Sequence, residues 1–74
     1  MEVKIGIQSI PRELAVETRL SPEEVERSLA EAMADGGLFI LPDDKGGKVI
    51  VPADKIGYLE FIGIDERRIG FGNL

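Results

Sequence analysis

The chain has 74 residues, of which 14 are acidic and nine are basic, and its formal net charge is −5. It contains no cysteine, histidine or tryptophan. These absences exclude disulfide scaffolds, the usual zinc sites, and catalysis that depends on a thiol or an imidazole. The length predicts a single domain over residues 1–74.

The distribution of apolar residues predicts a soluble, cytoplasmic protein. The sequence has no run of about 18 apolar residues that would cross a membrane. Its start also lacks the basic segment and the apolar run that mark a signal peptide. With 43% hydrophobic and 31% charged residues, the composition is typical of a folded domain and not of a disordered chain.

Two strands are predicted near the N-terminus. Over residues 3–7, apolar side chains alternate with polar or small ones, which is typical of a strand with one buried face. Pro11 interrupts the pattern because it has no N–H to donate to a neighbouring strand. The alternation resumes over residues 14–20. The sequence therefore predicts a hairpin whose turn lies near residues 9–12.

The best-specified local feature is a helix that begins after Ser21. Ser21 is a preferred N-cap residue, Pro22 suits the first helical position, and Glu24 completes a Ser-x-x-Glu capping box. Gly36 is predicted to end the helix in a left-handed conformation. Asp35 opposes the helix dipole in the last turn, which indicates another reason for its presence there. The predicted buried stripe consists of Val25, Leu29, Ala32 and Met33.

After the helix, the sequence predicts three further strands and a tail. In chain order these are a strand at 38–41, a turn at 42–47, a strand at 49–51, a tight corner at 52–55, a strand at 56–62, a polar loop at 63–68 and a short extended segment at 69–72. The complete order is ββαβββ. This order predicts an α+β fold, in which a mainly antiparallel sheet of about five strands carries one helix packed on one face.

Four stretches of the sequence together resemble one known family. They are MEVKIGI at residues 1–7, PREL at 11–14, VPADKIGYLE at 51–60 and RRIGFG at 67–72. In this combination and spacing they resemble the small actinobacterial proteins grouped as domain-of-unknown-function family 3107. The resemblance implies a small cytosolic bacterial protein. It provides no activity and no catalytic residue that can be transferred to this chain.

Several residues are of types that occur in chemical sites, but their spacing favours plain structural roles. Gly46 and Gly47 are followed by Lys48 and a predicted strand, whereas a phosphate-binding loop continues with Ser or Thr into a helix. Asp43 and Asp44 lack the alternating ligands of a calcium loop and favour a solvated turn. Without histidine or cysteine, no arrangement of carboxylates indicates catalysis. The sequence therefore predicts no enzymatic activity, no cofactor and no bound metal.

The last three predicted strands are apolar on both faces, although one helix can cover only one face of a sheet. An uncovered apolar face usually marks an interaction site. The sequence therefore predicts a homodimer, or docking to another cytoplasmic protein, through the face opposite the helix. The alternative is that the tail at 63–74 folds over that face. The predicted contacts are Phe39, Leu41, Tyr58, Ile69 and Phe71, with Arg67 and Arg68 as rim charges.

Side chains alternate along the strand predicted at 56–62, and this alternation predicts which of them lie on each face of the sheet. Leu59 and Phe61 share one side and are expected to face the helix, because that side is the more apolar. Tyr58 is then expected on the outer side, with its ring at the contact and its hydroxyl near the rim.

A nucleic-acid-associated regulator is the second hypothesis. Arg67 and Arg68 stand close to Phe71, so they offer charge and stacking to a polynucleotide. The net charge of −5 opposes this, because phosphate contacts dominate such binding. The acidity is concentrated at residues 21–35, with five acidic residues and one basic residue. The predicted sheet is therefore nearly neutral, and binding of nucleic acid there is disfavoured but stays open.

Overall fold

The structure, a computed structural model, describes residues 1–63. The elements it contains are β1 (Glu2–Ile7), β2 (Leu14–Glu17), α1 (Pro22–Asp35), β3 (Leu38–Pro42), β4 (Lys48–Pro52), a 3₁₀ turn (Ala53–Lys55) and β5 (Ile56–Ile62). The predicted α+β class and the order ββαβββ are confirmed. The predicted polar loop beyond Gly63 and the extended segment at 69–72 lie outside the described residues.

The strands form two separate sheets, so the prediction of one sheet with about five strands is wrong. An antiparallel three-stranded sheet has the order β2-β1-β5, and β3 and β4 form a hairpin of their own. The corner between β4 and β5 accounts for the difference. It forms a 3₁₀ turn with Ala53 buried, and the chain leaves it so that β5 pairs with β1 and not with β4.

The core lies where the three-stranded sheet, the helix and the hairpin meet. Its buried apolar members come from every strand except β5, together with the helix and the corner: Val3, Ile5, Val16, Val25, Ala32, Phe39, Leu41, Val51 and Ala53. β5 contributes Leu59 and Phe61, which are partly buried and pack against this cluster.

The predicted helix stripe is correct except at its edge. Val25 and Ala32 are buried, and Leu29 packs against the core. Met33, however, is 63% exposed. At 3.6 residues per turn, Met33 lies about 80° around the helix axis from Val25, whereas Ala32 lies within about 20° of it. The contact made by the helix is narrower than the predicted stripe.

Both ends of the helix follow the predicted capping chemistry. The Glu24 N–H donates to the Ser21 hydroxyl over 3.1 Å, and the Ser21 N–H donates to the Glu24 carboxylate over 2.8 Å. This reciprocal pair is a capping box. At the other end Gly36 has φ 63° and ψ 30°, the left-handed conformation expected of it.

The capping box supports a first prediction on stability. Ser21→Ala is expected to lower the free energy of unfolding by about 1 kcal/mol, because it leaves the Glu24 N–H without its side-chain acceptor. Chemical denaturation monitored by circular dichroism measures this change. An unchanged transition midpoint would show that the cap does not stabilise the helix.

Candidate interaction surface

The outward side of the β3–β4 hairpin is apolar. Successive side chains of a strand point to opposite sides, and here the outward side carries three large aliphatic residues. Their exposed fractions are 56% for Leu38, 42% for Ile40 and 48% for Ile50. We call these three residues the hairpin patch. Ile40 and Ile50 stand directly opposite each other in the register, so the centre of the patch is a cross-strand pair.

Two of the predicted contact residues lie on the other side of the hairpin. Phe39 and Leu41 are completely buried in the core, so they cannot line an exposed surface of the described chain. The two sides of β3 differ as its alternation predicts, but the side predicted to form the surface is the buried one. The helix packs against β3, and the side that carries Phe39 and Leu41 joins the core cluster that Val25 and Ala32 also line.

The two ends of the hairpin patch differ in charge. At one end Pro42 pairs with Lys48, whose exposed side chain shares the outward side with Ile50. At the other end Leu38 pairs with Pro52. The patch is therefore flanked at one end by a cation that belongs to the same surface.

A shallow groove of about 250 Å³ lies between the helix and β3, beside Leu38 and Ile40 of the patch. Its walls include Ser28, Glu31 and Asp35 from the helix, facing Leu38 and Ile40 of β3. Glu31 and Asp35 are exposed. The helix thus brings two carboxylates beside the β3 edge of the patch, whereas Lys48 lies on β4.

The outer side of the three-stranded sheet has a different character. It carries Ala15 and Ile62 besides Tyr58, but most of its side chains are charged. The charged residues on or beside it are Glu2, Lys4, Glu13, Glu17 and Glu60. Tyr58 is 48% exposed there, while Leu59 and Phe61 pack against the core. The predicted division of β5 between its two sides is confirmed. The side that holds Tyr58 is mainly acidic, although Lys4 lies among its carboxylates and the Met1 amino group lies 3.7 Å from Glu17.

Tyr58 is held in place by a glycine and a carboxylate. Gly6 stands opposite it in the β1–β5 register, and the ring lies across the Gly6 backbone. A Cβ atom at Gly6 would come within 2.6 Å of the Cδ2 atom of the ring, so only glycine permits this contact. The Tyr58 hydroxyl donates a hydrogen bond to the Glu13 carboxylate, which also lies 3.9 Å from the Lys4 ammonium.

The hydrogen bond to Glu13 raises the pKa of Tyr58 above its ordinary value. Partial desolvation and the negative charges of Glu13 and Glu60 act in the same direction, since each disfavours the phenolate. The stabilisation from this bond is fully present below the ordinary pKa of tyrosine and is lost as the pH rises through the raised pKa of the folded state.

This environment allows a direct titration. Tyr58 is the only tyrosine, and the chain has no tryptophan, so phenolate absorbance reports on one group. Glu13→Gln is expected to lower the pKa of Tyr58, because it removes both the charged acceptor and a nearby negative charge. Glu26→Gln, on the exposed side of the helix, is the matched control and is expected to leave the titration unchanged. Identical curves for Glu13→Gln and the wild type would contradict the contact.

The remaining predicted contacts cannot be placed on this surface. Arg67, Arg68, Ile69 and Phe71 lie outside the described residues. Over residues 1–63, no group of three or more acidic, histidine or cysteine side chains is arranged to hold a metal ion. In the same part of the chain, no helix has the length and apolarity to cross a membrane.

Fold and surface define a small α+β protein in which three of the six exposed large hydrophobic residues of the described chain lie together on one side of one hairpin. Comparison with protein families identifies it further: the family described as "Protein of unknown function (DUF3107)" matches residues 1–72, and the chain belongs to that family. The family predicted from the four sequence stretches is thereby confirmed. The actinobacterial source that the resemblance implied stays a prediction. No curated protein matches the chain.

Proposed function

We propose that this protein is a small, cytoplasmic, non-enzymatic interaction module that associates with itself through the hairpin patch. One observation carries the proposal: Leu38, Ile40 and Ile50 expose 42–56% of their surface on one side of one hairpin. Apolar side chains grouped in this way lose contact with water when two surfaces meet, which contributes about 25 cal/mol per Å² before the costs of association.

The charges on the two candidate surfaces favour the hairpin. The outer side of the three-stranded sheet carries Glu2, Glu17 and Glu60 around Tyr58, and pairing two such surfaces would bring like charges together. The centre of the hairpin patch, by contrast, is the aliphatic pair Ile40 and Ile50. We therefore propose the contact at the hairpin patch and not at the sheet face predicted from the sequence. This proposed contact does not include Tyr58.

The size of the chain gives self-association a second support. A domain of this length buries only about 60% of the surface that its unfolded chain exposes, and its core is correspondingly thin. The chain has no cysteine for a disulfide. Association is one of the remaining ways in which a chain of this kind gains stability. A closed two-fold dimer is the commonest form in which one patch buries itself.

Nucleic-acid binding through Arg67, Arg68 and an open sheet face is the competing hypothesis. The acidic side chains around Tyr58 oppose it, since phosphates would meet carboxylates there. The two functions differ in their response to salt. Neutralising phosphates releases counterions and gives a steep salt dependence, whereas burial of aliphatic side chains does not.

Sedimentation velocity of the full chain over a range of concentrations tests the proposal. The mass is expected to rise from monomer to dimer with concentration, with only a modest change when salt is raised. Fluorescence anisotropy of a labelled single-stranded oligonucleotide is expected to show no binding at moderate salt. A wild type that stays monomeric at every concentration would overturn self-association. Oligonucleotide binding that weakens steeply with salt would favour the competing hypothesis.

A further inference from the structure

We infer that residues 68–72 add to the far edge of β5, the edge away from β1, as an antiparallel strand whose Ile69 and Phe71 face the core. Residues 64–74 lie outside the described part of the chain, so the assignment rests on their sequence together with the described edge of β5. The contact at the hairpin patch does not depend on this strand. The strand would lengthen the three-stranded sheet on the side of β5.

Hydrogen bonds alternate along each strand of an antiparallel sheet, and the first pair of β1 and β2 sets this alternation. Met1, just before β1, and Thr18, just after β2, exchange backbone hydrogen bonds of 3.0 and 3.1 Å, so odd-numbered residues of β1 bond to β2. The even-numbered residues face β5, in agreement with the Gln8 N–H, which donates to the Lys55 carbonyl over 2.8 Å. β5 therefore bonds to β1 through its own even-numbered residues, in the pairs Glu2–Ile62, Lys4–Glu60 and Gly6–Tyr58.

The backbone N–H and C=O groups of Leu59 and Phe61 consequently point to the far edge of β5. No strand of the described chain lies there, because the three-stranded sheet ends with β5. This edge also lacks the residues that commonly protect an exposed edge. β5 contains no proline and no lysine, whereas β4 begins with Lys48 and ends with Pro52. The far edge of β5 is therefore suited to receive another strand.

The side chains on the core side of β5 are incompletely covered. Leu59 and Phe61 are only partly buried, whereas Ile5 and Val3, which stand opposite them on β1, are completely buried. The edge position accounts for this difference, because β1 has a strand on both sides and β5 has one. A neighbouring strand with apolar side chains on the core side would cover Leu59 and Phe61.

The sequence after β5 has the pattern of such a strand. Gly63, with φ 81°, follows β5 in the left-handed region that favours glycine in turns. Residues 63–67 suffice to reverse the chain, since connections of about five residues are among the common hairpin types. Beyond them Ile69 and Phe71 alternate with glycine, which places both apolar side chains on one side of a strand. With this connection Ile69 stands opposite Phe61, and Phe71 stands opposite Leu59.

The charges on the outer side of the sheet favour the same parity. When the apolar residues of the added strand face the core, Arg68 falls on the outer side, beside Ile62. That side carries Glu60 and also Glu2, which pairs with Ile62 in the register. The arginine would therefore meet carboxylates. The opposite parity would direct Arg68 toward the apolar core and leave Phe71 among the acidic side chains.

Two measurements on the wild type, both by nuclear magnetic resonance in dilute solution, test the strand. The amide hydrogens of Leu59 and Phe61 are expected to exchange slowly with solvent, as that of Glu60, which bonds to β1, is expected to do. Nuclear Overhauser effects are expected between the side chains of Ile69 and Phe61.

A pair of proline variants tests the parity. Phe71→Pro is expected to speed exchange at Leu59 and Phe61 at least about tenfold, because a proline ring in place of an N–H that faces β5 prevents pairing. Gly70→Pro is the matched control. Its N–H would point away from β5, so exchange at both residues is expected to stay unchanged. In each variant, slow exchange at Glu60 shows that the rest of the sheet is intact.

Four other outcomes would overturn the added strand. Rapid exchange at Leu59 and Phe61 in the wild type, with Glu60 slow, would show that the edge has no partner. Absence of the Overhauser effects would exclude the register. Slow exchange that survives Phe71→Pro, or is lost equally in Gly70→Pro, would contradict the parity. Slow exchange that appears only at high protein concentration would assign the edge to a second copy of the chain.

Discussion

Phe39→Ala is expected to lower the free energy of unfolding by about 3–5 kcal/mol. The Phe39 ring is completely buried in the cluster that joins the helix to the hairpin, so its removal leaves a cavity that the surrounding core cannot fully close. A chain of this length has a total stability of about 4–11 kcal/mol. The variant is therefore expected to be partly or wholly unfolded, as measured by circular dichroism and denaturant titration.

Leu38→Ala is the matched control, one residue away on the opposite side of the same strand. Leu38 is 56% exposed, and in dilute solution its replacement is expected to change the stability by less than about 1 kcal/mol. If Leu38→Ala lowered the free energy of unfolding as much as Phe39→Ala, or more, the assignment of the two sides of β3 would be contradicted.

Ile50→Asp is expected to weaken self-association by at least about tenfold, because it places a charge at the centre of a contact that would exclude water. The monomer is expected to remain folded, since the side chain is already 48% exposed. Sedimentation velocity gives the dissociation constant, and circular dichroism confirms the fold.

Ile10→Asp controls for a general loss of surface hydrophobicity. Ile10 has a similar exposed fraction, 52%, but lies in the loop between β1 and β2. The same substitution there is expected to leave the dissociation constant unchanged. If both variants weakened association equally, the effect would belong to general surface hydrophobicity and not to the hairpin.

Local features were predictable from the sequence because their determinants are close together in the chain. The capping box depends on residues three apart, and Ser21 and Glu24 make both of its hydrogen bonds. The left-handed residue at the end of the helix is Gly36, the residue type that tolerates this conformation. Parity within β5 likewise separated Tyr58 from Leu59 and Phe61, because alternation is a property of the strand alone.

The division into two sheets was not predictable in this way, because it depends on how distant segments pair. β1 and β5 are joined at positions such as Val3 and Phe61, which are far apart in sequence, while the 3₁₀ corner sets the direction in which β5 leaves β4. A strand pattern alone does not report which of several strands becomes the neighbour.

The apolar composition of β3 was predictable from the sequence, but which of its two sides is exposed was not. An apolar strand such as β3 offers Leu38 and Ile40 on one side and Phe39 and Leu41 on the other, and both sets are suited to burial. The helix takes one set into the core, and the other is left outside. That choice is made by tertiary packing, so the excess of apolar residues was visible in the sequence while the exposed set was not.

The most direct test of the hairpin contact is the solvent exposure of individual methyl groups, measured by nuclear magnetic resonance with a soluble paramagnetic probe in dilute and concentrated samples. The methyl groups of Leu38, Ile40 and Ile50 are expected to lose much of their relaxation enhancement in the concentrated sample, while those of Ile10 keep theirs. Unchanged enhancement at all three hairpin residues, in a sample shown to be dimeric, would contradict the assignment of the contact to this surface.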